Sequence, residues 1–134
     1  MTNSHEEFVE NVIYAEKKVQ LLRSHCFDAR KVISNYEGEN KYVVALGFYQ
    51  MAHQTYLHLA EFYRNEISIR SSELEDVLNE YEAFQINARE YIRIKDNNPS
   101  WLDSSFDKFK RACDEYAERV KVLKEDQKRL NKNL

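Results

Sequence analysis

Few side chains in this chain could do chemistry: four histidines, two cysteines and a surplus of carboxylates over basic groups. In a helix His58 and Glu61 would stand one turn apart, a spacing at which an imidazole and a carboxylate can share a zinc ion. His53 lies too far round such a helix to join them, and two ligands do not complete a site, so no metal is expected. Di-iron carboxylate bundles need Glu-x-x-His on two helices. The residues three before His5, His25, His53 and His58 are Thr2, Leu22, Gln50 and Thr55, so that chemistry fails. No arginine precedes a histidine by four to six residues, which removes a pairing used by one class of bundle ribonuclease. Gly38 and Gly47 are the only glycines, too few for Walker or Rossmann phosphate loops. Gly-x-Ser-x-Gly and His-Glu-x-x-His are absent as well. His25 beside Cys26 suggests an activated thiol, but neighbours in a helix point about 100° apart. Cys26 falls on an apolar stripe and reads as an inert, buried thiol. No catalytic residue and no cofactor is expected, and His53, His58 and Glu61 are the polar cluster an enzyme would have to use.

Two other constellations could carry function by binding. Tyr42, Tyr49, Tyr56 and Tyr63 recur at every seventh residue, close to two helical turns, and so form one slowly drifting stripe. Tyrosine offers large contact area at low entropic cost, which makes the stripe a candidate partner-binding face; packing at the edge of a core is the alternative use. Base stacking would need interleaved cations, and Lys41 and Arg64 are the only ones in that segment. Near the carboxy terminus, Lys121, Lys124, Lys128 and Lys132 share one side of a charged helix and could meet nucleic-acid phosphates.

The elements that position these residues are helices. Ser4-x-x-Glu7, Ser72-x-x-Glu75 and Ser100-x-x-Asp103 each put a hydroxyl at a helix start and an acid three residues on. Gly38 is a natural left-handed stop, Asn40 a weaker cap, and Asn97-Asn98-Pro99 a closing signal. The spacing predicts helices over about 4–36, 40–67, 72–96 and 100–131. The first carries an apolar seam from Phe8 through Val12, Val19, Cys26 and Ile33 to Tyr36, the third one from Leu74 through Phe84 to Ile92. The fourth runs from Leu102 through Phe109 and Val120 to Leu130, interrupted by Gln127. In the second, Val44, Phe48, Met51, Ala52, Leu59 and Phe62 form a broad apolar arc with the tyrosines on one flank, which predicts the most buried helix of the four. Ile69, Ile86 and Ile94 fall off the seams. Short connections between long helices favour antiparallel neighbours. The expected fold is all-α: a single-domain, antiparallel up-down-up-down four-helix bundle across residues 1–134, with Cys26 and Cys113 at similar heights as packed thiols.

Composition agrees. Of 134 residues 43% are hydrophobic and 32% charged, with only one proline, so long helices are favoured over disorder or short strands. The formal charge of −3 disfavours a dedicated nucleic-acid binder. No apolar run approaches the roughly 18 residues of a membrane span, and the acidic start Glu6-Glu7 lacks a signal core, so a cytoplasmic location is expected. The function expected by elimination is a non-enzymatic protein–protein interaction module, an inhibitor, adaptor or small assembly subunit. It would bind a protein partner through helix surfaces and could form a homo-oligomer. The alternative is a small subunit of a nucleoprotein complex that uses the four lysines.

Overall fold

The computed structural model describes residues 4–95 and 100–132. The described residues form four α-helices and no strand: α1 (Ser4–Asn35), α2 (Asn40–Asn65), α3 (Ser72–Ile94) and α4 (Ser100–Lys132). A 3₁₀ turn, Ile67–Ile69, follows α2 where the sequence reading carried the helix on to residue 67. Among the described residues no helix is long and apolar enough to cross a membrane.

Helix ends follow local chemistry. Gly38 stands at φ +87°, the left-handed conformation that separates α1 from α2. Glu39, not Asn40, is the cap residue of α2, and its side chain makes no capping bond. For α3 the cap is Ser71, one residue earlier than expected: its Oγ accepts from the Leu74 amide at 3.1 Å. Either of two adjacent serines could take that role. At the far end Lys95 takes the left-handed cap at φ 50°, a place where glycine is usual. The stop signal Asn97-Asn98-Pro99 lies outside the described residues. Arg70 closes α2 from beyond the 3₁₀ turn by donating to the Tyr63 and Arg64 carbonyls at 3.0 and 2.6 Å. These are carbonyls that a helix end leaves without an internal partner.

The seams of α1, α3 and α4 bury as the periodicity requires. Val12, Ala15, Val19, Leu22, Cys26, Ala29 and Ile33 of α1 are all in the core, as are Leu74, Val77, Tyr81, Phe84, Ala88 and Tyr91 of α3. Two ends depart from it: Tyr36 lies past the last turn of α1 and is exposed, and Leu130 is exposed near the end of α4. Ile69 is buried, while Ile86 and Ile94 are exposed. Helix α2 corrects the sequence reading most. Its buried residues are Ala45, Ala52, Thr55 and Leu59, whereas Val44 and Met51, placed mid-arc by hydropathy, are 43% and 50% exposed. The helix is rotated toward its tyrosine flank, and it is not the most buried of the four.

Packing is uneven. α1 lies extensively on α2 and α3 on α4, α1 meets α4 less, and α2 approaches α3 least of these four pairs. Between α1 and α4 stand the ion pairs Arg23–Asp114 at 2.6 Å, Lys124–Glu16 at 3.1 Å and Arg30–Asp103. Such partly exposed pairs contribute little each, about 0–1 kcal/mol. Aromatic rings bridge α3 and α4: Phe84 meets Phe106 at 5.5 Å and Phe109 at 6.1 Å, and Tyr81 meets Phe109 at 5.9 Å. Replacing Phe84 by alanine should therefore lower unfolding free energy by about 3–5 kcal/mol. Ile86→Ala, two residues away on the exposed side, should stay within about 0.5 kcal/mol. Urea unfolding of both variants at neutral pH checks the pair.

Candidate functional site

The tyrosine stripe is half-buried along its whole length and packed against the core. Tyr42 lies beneath two ammonium groups, Lys41 at 5.3 Å and Lys95, the cap that ends α3, at 5.7 Å from the ring centre. Tyr49 meets Phe84 edge-on at 5.9 Å. Tyr56 packs on Tyr81 at 4.7 Å, and its hydroxyl donates to the Glu82 carboxylate. Tyr63 is covered by the Arg70 guanidinium at 5.2 Å. Each ring is thus engaged within the chain, three of them with α3.

The Tyr49 hydroxyl is buried and has no hydrogen-bond partner among the described residues. Burial is the main reason its pKa is pushed up; the thiol of Cys26 adds to this and the Arg30 guanidinium opposes it. Burial first, then the Glu82 carboxylate, raises Tyr56. Tyr81, raised mainly by burial, meets His53 through a 3.4 Å contact between its hydroxyl and Nδ1. His53 also stacks on Tyr56 at 5.7 Å.

Because rings rather than backbones bring α2 and α3 together, a cleft of about 140 Å³ opens between the two helices. Tyr49, Phe84, Ala88 and Ile92 form its apolar part and Gln50, His53, Gln85 and Arg89 line the remainder. On the other side of α2, Val44 and Met51 are exposed, as are Tyr14 and Leu21 of α1, and Tyr14 packs on Phe62 at 4.5 Å.

The remaining candidates disperse. His53 faces the cleft, whereas His58 and Glu61 are exposed on the outer side of α2, so the three do not converge. No group of three His, Cys, Asp or Glu residues among the described residues is placed to hold a metal ion. Of the four lysines, Lys124 is paired with Glu16, while Lys121, Lys128 and Lys132 are exposed. Cys26 and Cys113 are buried and unpaired. Burial pushes the Cys113 thiol up to about 12, and burial aided by Cys113 raises Cys26 further, so neither is a thiolate nucleophile near neutral pH. The cleft was not foreseen, because it arises between two segments some 35 residues apart and leaves no local pattern in either.

Comparison with protein families, with curated proteins and with solved structures finds no match to the chain.

The buried thiols and phenols fix the alkaline limb of stability. All titrate higher in the folded chain than their ordinary values of about 8.5 and 10. The folded state thus holds protons that the unfolded state releases. Stability is complete below about pH 8.5 and falls as pH rises through the thiol and then the phenol range. Denaturant midpoints should be level from pH 7 to 8 and decline steadily from about pH 9 to 11; a midpoint that rises over that interval would contradict the burial of these groups.

Proposed function

We propose that the chain is a non-enzymatic protein-binding module, one antiparallel up-down-up-down bundle that docks a partner across the outer junction of α1 and α2. The helix directions are inferred from paired residues whose numbers rise on one helix as they fall on the next. Glu16, Arg23 and Arg30 of α1 pair in turn with Lys124, Asp114 and Asp103 of α4. Tyr42, Tyr49 and Tyr56 of α2 meet Lys95, Phe84 and Tyr81 of α3.

The observation that carries the binding reading is the exposed apolar line at that junction. Val44, Met51, His58 and Phe62 recur on α2 at steps of seven, seven and four, which keeps them on one side. Tyr14 and Leu21 are seven apart on α1, and the Tyr14–Phe62 contact joins the two lines. Antiparallel running then sets Leu21 at about the height of Thr55, one turn from Met51. Four apolar side chains of these two helices, Tyr14, Leu21, Val44 and Met51, are each more than two-fifths exposed. Scattered exposed apolar residues are ordinary, whereas a contiguous row of them marks a contact surface. Methionine and tyrosine are enriched at the centres of such surfaces. In this reading the tyrosine stripe sets the rotation of α2 and the partner meets the opposite side. The separation of His53 from His58 and Glu61 favours binding over catalysis, and two buried, unpaired thiols suit a cytoplasmic setting. The nucleic-acid alternative draws less support, since Lys124 is engaged by Glu16 and Glu125 and Asp126 interleave with the other lysines.

Tagged capture from host lysate, with and without nuclease, tests this with wild type and a Leu21→Glu, Met51→Glu variant. Wild type should retain a stoichiometric protein that survives nuclease, and the variant should lose about 90% of it, equivalent to about 1.4 kcal/mol, with an unchanged circular dichroism melt. Retention of the same partner by a folded variant, or loss of the partner on nuclease treatment, would contradict the proposal.

A further inference from the structure

The cleft between α2 and α3 is separate from the proposed docking stripe and has a chemistry of its own. Its volume of about 140 Å³ is close to that of an engineered core cavity that admits one benzene molecule. Leu46, Tyr49 and Ile92 give it an apolar wall, backed by Phe84 and Ala88, which are buried beneath it in the core of the fold. Three polar side chains, Gln50, Gln85 and Arg89, stand beside that wall. They make no hydrogen bond or ion pair to another described residue. Among the described residues no carboxylate lines the cleft, and Arg89 is the one permanently charged group that does. The neighbouring arginine, Arg93, is tied to Glu90, and Glu82 accepts from Tyr56. An apolar slot with a few converging polar groups is the general form of a small-molecule site. Here the single uncommitted charge selects an anion, and a guanidinium fork suits a planar carboxylate.

We propose that this cleft binds a small aromatic carboxylate, with its ring against Leu46 and Ile92 and its carboxylate on Arg89. The two glutamine amides flank the acid and add hydrogen bonds that a neutral or cationic head group cannot use in the same way. His53, held by Tyr81, closes the end of the slot. The ring fills space that the tyrosine contacts leave open, so binding needs no movement of α2 away from α3.

Amide-resolved NMR titration of the full chain provides the test, with phenylacetate as probe and phenylacetamide, phenethylamine and acetate as controls. Phenylacetate should give saturable shifts in the millimolar range confined to residues 46–53 and 81–92. Each control should bind about tenfold more weakly or not at all. Arg89→Gln, an exposed substitution that leaves packing alone, should reduce phenylacetate to the level of phenylacetamide. Gln85→Trp should block the slot while the Leu21 and Met51 substitutions leave titration unchanged. Absence of saturable shifts, equal binding of the amine, or full affinity in Arg89→Gln would each overturn the proposal. None of these results bears on partner capture, so the two readings fail independently.

Discussion

The arrangement depends on two adjacent aromatic positions of α3, Tyr81 and Phe84, which carry rings from both neighbouring helices. On one side they take Phe106 and Phe109 of α4, and on the other Tyr49 and Tyr56 of α2. Each contact lies within the range of centroid distances at which aromatic pairs add about 0.5–1.5 kcal/mol beyond buried area. The α4 side closes tightly because the phenylalanines lie among small and aliphatic core residues. The α2 side stays wider, because tyrosines reach across with their full length and end in hydroxyls. One hydroxyl finds Glu82; the Tyr49 hydroxyl finds no partner among the described residues and costs stability. From this one difference follow the spacing of α2 from α3, the cleft between them and the rotation that leaves Val44 and Met51 outside.

Three of the four helices were legible in the sequence, and the reason is physical. α1, α3 and α4 each have one apolar stripe against a polar remainder, so a single rotation satisfies burial. In α2 two stripes compete: tyrosines at every seventh residue, and Val44, Met51 and Phe62 on another line. A hydropathy scale ranks valine and methionine above tyrosine and so turns the helix the wrong way. What decides the rotation is the aromatic surface that α3 offers at Tyr81 and Phe84, a long-range property. Smaller misreadings have the same origin. Ser71 and Ser72 are equivalent locally, and the Lys95 cap departs from the glycine rule where its ammonium lies near Tyr42 and Glu39.

The functional readings inherit this logic. Residues that looked most suited to recognition, the four tyrosines, are engaged with α3 and with Arg70, while residues expected in the core stand outside. A buried ring contributes most to whatever it touches, so the stripe shapes the surface that α2 presents. The proposed docking stripe and the proposed carboxylate cleft are then two sides of one helix, both set by its rotation. The charged surface of α4 is partly spent on α1 through Arg23–Asp114 and Lys124–Glu16.

The fastening of α2 to α3 through ring contacts is open to direct measurement by a double-mutant cycle on Tyr56 and Tyr81. Unfolding free energies of wild type, Tyr56→Ala, Tyr81→Ala and the double variant give the coupling between the two rings, free of the separate loss of the Glu82 hydrogen bond. Ring-mediated fastening predicts a favourable coupling of about 0.5–1.5 kcal/mol. A coupling indistinguishable from zero, with additive losses, would mean that α2 is held without its tyrosines and that its rotation has another cause.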